Sequence, residues 1–331
     1  MRTASAITPS VDYQRDGVQH GFLKLPYSRD DSAWGAVITP ITVIKNGDGP
    51  CALLTGANHG DEYEGPIALS KLAVKLQPTQ IRGRVIIVPF FNSPAFRAGK
   101  RTSPIDSGNM NRVFPGRADG TVTEKIADYF QNHLLPIADI VLDIHAGGKT
   151  LEFLPFAAAH VLPDKAQQQR CVAAMQAFAA PYSMMLLELD AVGMYDTAAE
   201  QLGKVFVSTE LGGGGTSTPR TVEIADTGVH NLLIHAGIKL ADPIERNSVL
   251  LDMPGDDCFV TSDDEGLLEM CVELGAAVTT NQVIARVYDT RRTGRTPIEY
   301  HSKISGLLVG RHFPGLITPG DPVAVVAVAT L

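Results

Sequence analysis

Two histidines and a glutamate in this 331-residue sequence are candidate metal ligands. His59 and Glu62 are three residues apart in the run G-A-N-H-G-D-E, so one helical turn would place them on one face. His145 ends the apolar run D-I-V-L-D-I-H. Imidazole nitrogen and carboxylate oxygen both bind zinc, and a catalytic zinc commonly has three protein ligands. The alternatives are a solvated loop around H-x-x-E and a buried histidine at position 145; Asp143 either supports His145 or simply ends its strand.

A fourth candidate, Glu210, follows a β-type run in the segment S-T-E-L-G-G. A carboxylate beside an activated water can take its proton and later return it to a leaving amine. The alternative interpretation is a surface glutamate at the end of a strand.

Residues 92–116 form a long, turn-rich and cationic segment in an otherwise acidic protein. Arginine binds carboxylates through paired hydrogen bonds, so Arg112 with Asn111 could hold a substrate carboxylate. Arg101 could stabilise the oxyanion that forms when water attacks a carbonyl. A solvated basic loop is the usual interpretation of such a run by itself.

The elements that would position these residues alternate between strand and helix. Apolar runs predict strands at 36–44, 51–55, 85–90, 139–145, 184–189 and 205–211. Helical spacing or capping signals predict helices at 66–76, 121–135, 164–179 and 226–236. This alternation predicts an α/β fold with a mostly parallel or mixed sheet flanked by helices. Ligands of such sheets bind at the carboxyl ends of the strands, where the candidate residues lie.

After about residue 252 the chain changes to short β-type runs separated by turns. We therefore predict a catalytic domain at 1–250, including an N-terminal β extension, and a β-rich domain at 251–331.

Composition excludes several kinds of partner. With 28 Lys and Arg against 36 Asp and Glu, the net charge is −8, which argues against a nucleic-acid surface. The four cysteines form no C-x-x-C pair, as expected of buried thiols in a reducing compartment. No stretch reaches the roughly 18 apolar residues of a membrane span. We expect a cytoplasmic protein without nucleic-acid or membrane partners.

Together and in this order, the motifs resemble the succinylglutamate desuccinylase/aspartoacylase family, a branch of the zinc carboxypeptidase superfamily. The family pattern is G-x-x-H-G-x-E, an asparagine-led loop with an arginine and an N-R pair, D-x-H, and E-L-G; here it occupies 56–62, 92–112, 143–145 and 210–212. The resemblance implies a zinc-carboxypeptidase-like fold whose small second domain partly covers the active-site mouth and narrows the substrate range. It implies a role for each candidate residue: His59, Glu62 and His145 bind one zinc ion per chain, Glu210 is the general base and acid, Arg101 polarises the carbonyl, and Asn111 and Arg112 hold the α-carboxylate.

Within the family, N-M-N-R-V-F-P-G and S-T-E-L-G-G-G-G resemble the subgroup that deacetylates N-acetyl-2,4-diaminobutyrate during ectoine degradation. The predicted function is therefore zinc-dependent hydrolysis of the amide of that small N-acyl amino acid, giving acetate and diaminobutyrate. The free ammonium of this substrate needs an acidic partner, for which Glu188 and Asp190 are candidates.

Several alternatives stay open. Succinylglutamate or acetylaspartate would carry a further carboxylate and favour another cation in the pocket. An open site would favour carboxypeptidase activity. Residues 305–309 faintly resemble a biotinyl or lipoyl carrier, with Lys303 available for modification. The chain could also bind zinc without catalysis, and cobalt, manganese or iron suit the same ligands. The oligomeric state is open, a homodimer included.

Overall fold

The structure is a computed structural model that describes residues 4–187 and 190–330. The end of the predicted strand 184–189 and the acidic candidate Glu188 lie outside the described residues.

The described strands are, in chain order, β1 (Thr8–Pro9), β2 (Gly17–Pro26), β3 (Ala36–Asn46), β4 (Cys51–Gly56), β5 (Gly83–Val88), β6 (Ile140–His145), β7 (Leu151–Phe153), β8 (Phe156–His160), β9 (Tyr182–Leu186), β10 (Val205–Glu210), β11 (Val249–Asp252), β12 (Phe259–Thr261), β13 (Gly266–Met270), β14 (Ala277–Val278), β15 (Val283–Tyr288), β16 (Ile298–His301), β17 (Gly306–His312), β18 (Leu316–Ile317) and β19 (Pro322–Ala329). The described α-helices are α1 (Glu64–Lys75), α2 (Ser93–Ala98), α3 (Val122–Tyr129), α4 (Lys165–Phe178), α5 (Tyr195–Gln201) and α6 (Pro219–His235).

One large mixed sheet runs through the molecule in the order β1-β2-β3-β5-β4-β6-β10-β8-β9-β11-β19-β17-β14. Its centre, β5-β4-β6-β10, is parallel, whereas β3 and β8 lie antiparallel to their central neighbours. A smaller antiparallel sheet has the order β16-β15-β13-β18. The predicted fold class, a mixed sheet flanked by helices, is confirmed.

Both faces of the central sheet are covered, which explains its continuous apolar runs. Successive strand residues point to opposite faces, so neighbours in β4 belong to different cores. Leu54 packs in the cluster that contains Leu69 of α1. Leu53 packs on the other side, in the cluster with Phe130 and Tyr195. All of these side chains are fully or almost fully buried.

The starts of two helices can be compared with the capping signals in the sequence. Thr121 and Glu124 form the predicted capping box, in which the Glu124 side chain accepts from the Thr121 N–H at 2.7 Å. The helix predicted at 226–236 instead begins at Pro219. The Thr218 side chain caps it, and proline occupies the first turn, where its missing N–H costs little.

The C-terminal part is built mainly of β-strands, as predicted. It is joined to the preceding part because β11 pairs with both β9 and β19, and β7 pairs with β17. One buried cluster contains side chains from both parts, among them Phe156, Met184, Val309 and Ala327. The domain boundary near residue 250 stays a prediction.

The cysteines are free thiols, of which three are buried, whereas Cys271 is exposed, contrary to the expectation that all would be buried. Among the described residues, the helices are too short or too polar to cross a membrane.

Candidate active site

The carboxyl ends of three adjacent parallel strands bring the candidate residues together. His59 and Glu62 lie in the loop after β4, His145 is the last residue of β6, and Glu210 is the last residue of β10. Glu210 and His145 are direct register partners, and β4 pairs with the other side of β6. The site therefore lies where a sheet of this kind binds ligands.

The loop that carries the first two candidate ligands packs tightly against α2. A side chain on Gly60 would collide with the backbone of Ala95, so only glycine fits there. The Gly60 N–H donates to the Lys100 carbonyl at 3.0 Å, and the Asn92 N–H donates to the Ala57 carbonyl at 2.9 Å. These backbone contacts fix the loop relative to the sheet edge.

His59, Glu62 and His145 form a buried cluster that could hold a metal ion. One ligand atom from each lies within 4.8 Å of the others. Nδ1 of His59 is 2.7 Å from one oxygen of Glu62, and Nδ1 of His145 is 2.9 Å from the other. Both Nδ1 atoms and the carboxylate thus converge on one point.

The Nε2 atoms of both rings face away from that point. Nε2 of His59 is 3.2 Å from Asn109 Oδ1, and Nε2 of His145 is 2.7 Å from Asp143 Oδ2. A hydrogen bond from Nε2–H to an oxygen leaves the Nδ1 lone pair free to bind metal, as is usual for metal-binding histidines. The donor set and its supporting contacts therefore fit a zinc ion or a similar cation.

The electrostatics of the cluster also favour a cation. Burial raises the pKa of Glu62, but the two histidines outweigh burial and hold that pKa well below its ordinary range. Burial would lower the pKa of His145, yet Asp143 and Glu62 together raise it well above its ordinary value. Burial lowers the pKa of His59, which favours the neutral, metal-binding form of that ring.

Glu210 lies beside the cluster with one oxygen unused. Its Oε2 is buried and has no hydrogen-bond partner among the described residues. Burial, followed by repulsion from Glu62, raises the pKa of Glu210 to about 8, although His145 and Arg101 oppose the shift. A pKa near neutrality suits a group that takes and returns a proton in one cycle.

The remaining predicted residues line the same cavity of about 180 Å³, together with Glu210. The half-exposed Arg101 places Nη1 3.7 Å from a Glu62 oxygen. Arg112 donates from Nη1 to the Asn111 carbonyl at 2.6 Å. The side-chain oxygen of Asn111 accepts from the Tyr195 N–H at 3.0 Å. The structure thus brings together all seven residues predicted from the sequence.

Some residues of the site were not predicted. Asn58 donates to Asp143 Oδ2 at 2.7 Å, so Asp143 supports His145 within a network and does more than end its strand. Asp196 lines the cavity. Asp190, a candidate partner for an ammonium, is exposed and is not among the residues that line the cavity. The position of Asn58 directly before His59 was an available signal, whereas nothing local marks Asp196.

Comparisons with a family model and with a curated protein both relate this chain to enzymes that remove acyl groups from amino acids. Residues 48–236 match the model of the succinylglutamate desuccinylase/aspartoacylase catalytic domain. The chain is 56% identical over 326 residues to the N-alpha-acetyl-L-2,4-diaminobutyric acid deacetylase of Halomonas elongata, covering 98% of this chain and 95% of that protein.

Two solved structures are similar over nearly the whole chain. The product-bound ectoine utilization protein EutE (DoeB) from Ruegeria pomeroyi superposes with a TM-score of 0.98 at 62% identity, covering 99% of this chain and 100% of that one. A succinylglutamate desuccinylase from Silicibacter sp. TM1040 superposes with a TM-score of 0.96 at 59% identity, with the same coverage.

Proposed function

This chain belongs to the succinylglutamate desuccinylase/aspartoacylase family, and from that premise we propose that it is a zinc-dependent deacetylase of Nα-acetyl-L-2,4-diaminobutyrate. One observation carries the proposal: the convergent donors of His59, Glu62 and His145 lie beside a buried oxygen of Glu210 that has no hydrogen-bond partner within residues 4–187 and 190–330. The choice of substrate is supported by the similar H. elongata protein, a deacetylase of this compound, and by the similar R. pomeroyi protein of ectoine utilization.

His59, Glu62 and His145 would hold the metal through two imidazole nitrogens and a carboxylate. A zinc ion bound there supplies Lewis-acid chemistry, polarising the amide carbonyl and making water more acidic. Asn109 and Asp143 orient the two rings for that role.

Hydrolysis adds water across the amide bond. A C–O bond forms at the acetyl carbonyl carbon, and the C–N bond to the amino acid breaks. Glu210 accepts a proton from the attacking water and delivers it to the departing amine. Arg101 is close enough to the cluster, at 3.7 Å from Glu62, to stabilise negative charge on the carbonyl oxygen. The products are acetate and diaminobutyrate.

Asn111 and Arg112 would bind the α-carboxylate of the substrate. The Asn111 side-chain oxygen is already used by the Tyr195 N–H, so its NH₂ group remains as the donor towards the cavity. Arg112 is held through one Nη atom by the Asn111 carbonyl, which orients the guanidinium for a carboxylate.

Cavity charge disfavours the rival acyl substrates. Compared with acetyl-diaminobutyrate, acetylaspartate carries one additional carboxylate and succinylglutamate carries two, and each additional carboxylate needs a further cation. Among the described residues that line the cavity, the only lysine or arginine side chains are Arg101 and Arg112. Both already have roles in the proposed reaction, so an additional carboxylate would lack a partner and bind poorly.

The proposal is tested by measuring amine release from acetyl-diaminobutyrate, acetylaspartate and succinylglutamate, with the zinc content of each sample determined. We expect turnover of acetyl-diaminobutyrate by the wild type. Glu210→Gln should keep its zinc and lose about 10²–10⁴-fold in kcat. Glu223→Gln, on the exposed surface of α6, is the matched control and should behave as wild type. A folded, metal-loaded wild type that hydrolyses none of the three substrates would contradict the proposal.

A further inference from the structure

One acidic side chain of the cavity has no role in the reaction described above. Asp196 lies in the first turn of α5, is only 6% exposed, and lines the cavity that contains Arg101, Arg112 and Glu210. A carboxylate in such a place is costly to bury unless a cation or hydrogen bonds compensate it.

The contacts of Asp196 leave one of its oxygens available. Oδ1 accepts from the N–H of Thr197 and from the Thr197 hydroxyl, the latter at 3.1 Å. Within residues 4–187 and 190–330, no lysine, arginine or histidine nitrogen lies within 4.0 Å of this carboxylate, and none of the hydrogen bonds goes to Oδ2. Oδ2 is therefore available to a ligand in the cavity.

Asp196 is also fastened to the residues proposed for the α-carboxylate. The Tyr195 N–H donates to Asn111 Oδ1 at 3.0 Å, and the Phe114 N–H donates to the Gly193 carbonyl at 2.9 Å. Gly193 has φ +74°, and a Cβ there would lie 2.5 Å from the Arg112 carbonyl oxygen. Only glycine allows this approach. The anion-binding residues and Asp196 thus form one wall of the cavity.

We infer that Asp196 binds the side-chain ammonium of the substrate and thereby selects a cationic N-acyl amino acid; this inference rests on the proposed function. Diaminobutyrate carries a carboxylate on Cα and an ammonium on Cγ, so its two charges are separated by a short, flexible chain. Arg112 and Asn111 meet the first charge, and Asp196 meets the second. Asp190, exposed and outside the cavity, does not take this role.

A purely structural role is the simpler explanation. An acidic residue in the first turn stabilises a helix through the helix dipole, whatever lies in the cavity. Such a role would change the stability of the protein and the hydrolysis of all substrates equally. A recognition role would change the preference between a charged and a neutral substrate.

The test compares Nα-acetyl-2,4-diaminobutyrate with Nα-acetyl-2-aminobutyrate, which lacks the ammonium but keeps the carbon chain. The zinc-loaded wild type should prefer the charged substrate at least tenfold in kcat/KM. Asp196→Asn keeps the shape of the side chain and removes its charge. It should lose about 100-fold in kcat/KM on the charged substrate, as expected on losing one partner of a buried ion pair. On the neutral substrate it should change by less than about threefold, because no charge pair is lost there.

Asp190→Asn removes an exposed negative charge outside the cavity; it serves as the control and should leave the preference unchanged. An equal loss on both substrates, or a preference that survives Asp196→Asn, would overturn the inference and leave the proposed function standing. A wild type that hydrolyses both substrates equally overturns it without any variant. A wild type inactive on both overturns the proposed function and this inference together.

Discussion

Asp143 contacts the proposed metal cluster through His145. Its Oδ2 lies 2.7 Å from Nε2 of that ring, while Oδ1 accepts from the Thr55 hydroxyl at 2.7 Å. We expect Asp143→Asn to weaken zinc affinity about 10–100-fold, because supporting carboxylates orient a ligating imidazole and raise its basicity. Competition with a chromophoric chelator measures this change.

Asp139→Asn is the matched control for that variant. Asp139 precedes the same strand at its distal end, and its carboxylate accepts from the Cys51 N–H at 2.8 Å. Its loss should leave zinc affinity unchanged. Equal affinities in wild type and Asp143→Asn would show that the contact to His145 does not tune the metal site.

Substituting the two arginines of the cavity should change different kinetic parameters. Arg101→Ala should lower kcat about 10²–10³-fold, because a donor to the developing oxyanion is lost. Arg112→Ala should mainly raise KM, because the α-carboxylate is held equally in the ground and transition states. Steady-state kinetics on acetyl-diaminobutyrate separates the two effects, with the exposed Arg117→Ala as control. If both variants changed the same parameter, the separate roles would be wrong.

Among single residues, the sequence predicted those whose residue types are typical of metal sites. His59, Glu62 and His145 stood out because imidazole and carboxylate groups lie near the ends of predicted strands, within motifs that follow the order of the family. Asn109 and Asp196 could not be predicted, since Asn109 contacts His59 and Asp196 lines the cavity only once distant parts of the chain have folded together. Their residue types are common in loops and carry no local signal of function.

Among the elements, the loop from α2 to α3 depends on one carboxylate. Asp106 accepts from the Thr123 N–H at 2.7 Å, from the Thr123 hydroxyl at 2.8 Å and from the Gly108 N–H at 3.1 Å. Partial burial would raise the pKa of Asp106, but these donors outweigh it and hold the pKa below its ordinary value. The loop that carries Arg101 and Asn111 is thereby anchored to the start of α3.

The direction of this shift sets the pH dependence. A carboxylate whose pKa is lowered by folding stabilises the folded state above its ordinary pKa, and the contribution is lost as pH falls through the folded value. Asp106→Asn should therefore reduce the free energy of unfolding by about 1–3 kcal/mol at pH 7 and by less at pH 3. Urea unfolding at both pH values measures the difference. The exposed Asp119→Asn is the control, and an equal loss at both pH values would contradict the assignment.

The elements predicted well were those whose signal is local. Buried parallel strands such as β5 and β6 have long apolar runs because both of their faces are covered. β8, with the sequence F-A-A-A-H, was missed because alanine has low strand propensity. Its pairing with β10 and β9 stabilises the strand despite the low strand propensity of its alanines.

For the molecule as a whole, metal binding should increase the free energy of unfolding. A ligand that binds only the folded state adds about 4 kcal/mol to the free energy of unfolding when its free concentration is about 1,000 times Kd. Chelation should therefore lower the thermal midpoint, and added zinc should restore it. His145→Ala should show neither response, because one of the three proposed ligands is missing. A midpoint insensitive to chelator and zinc in a metal-loaded wild type would contradict the proposed site.

The boundary proposed near residue 250 predicts where the chain can be cut. Residues 241–247 are exposed and form no strand or helix, which favours proteolysis after Arg246. The two fragments should stay together in size-exclusion chromatography, because β11 pairs with β9 and β17 pairs with β7 across the cut. Fragments that separate without denaturant would show that the shared core is not stable.

The pairing of β7 with β17 also sets when the cavity can be completed during synthesis. Leu151 and Phe153 of β7 line the cavity, yet their partner strand begins about 150 residues later in the chain. At about 5–20 residues per second, the ribosome needs roughly 8–30 s to make that stretch. The three proposed metal ligands are therefore synthesised well before β7 has its partner strand, so a nascent chain can bring them together while the cavity is still incomplete.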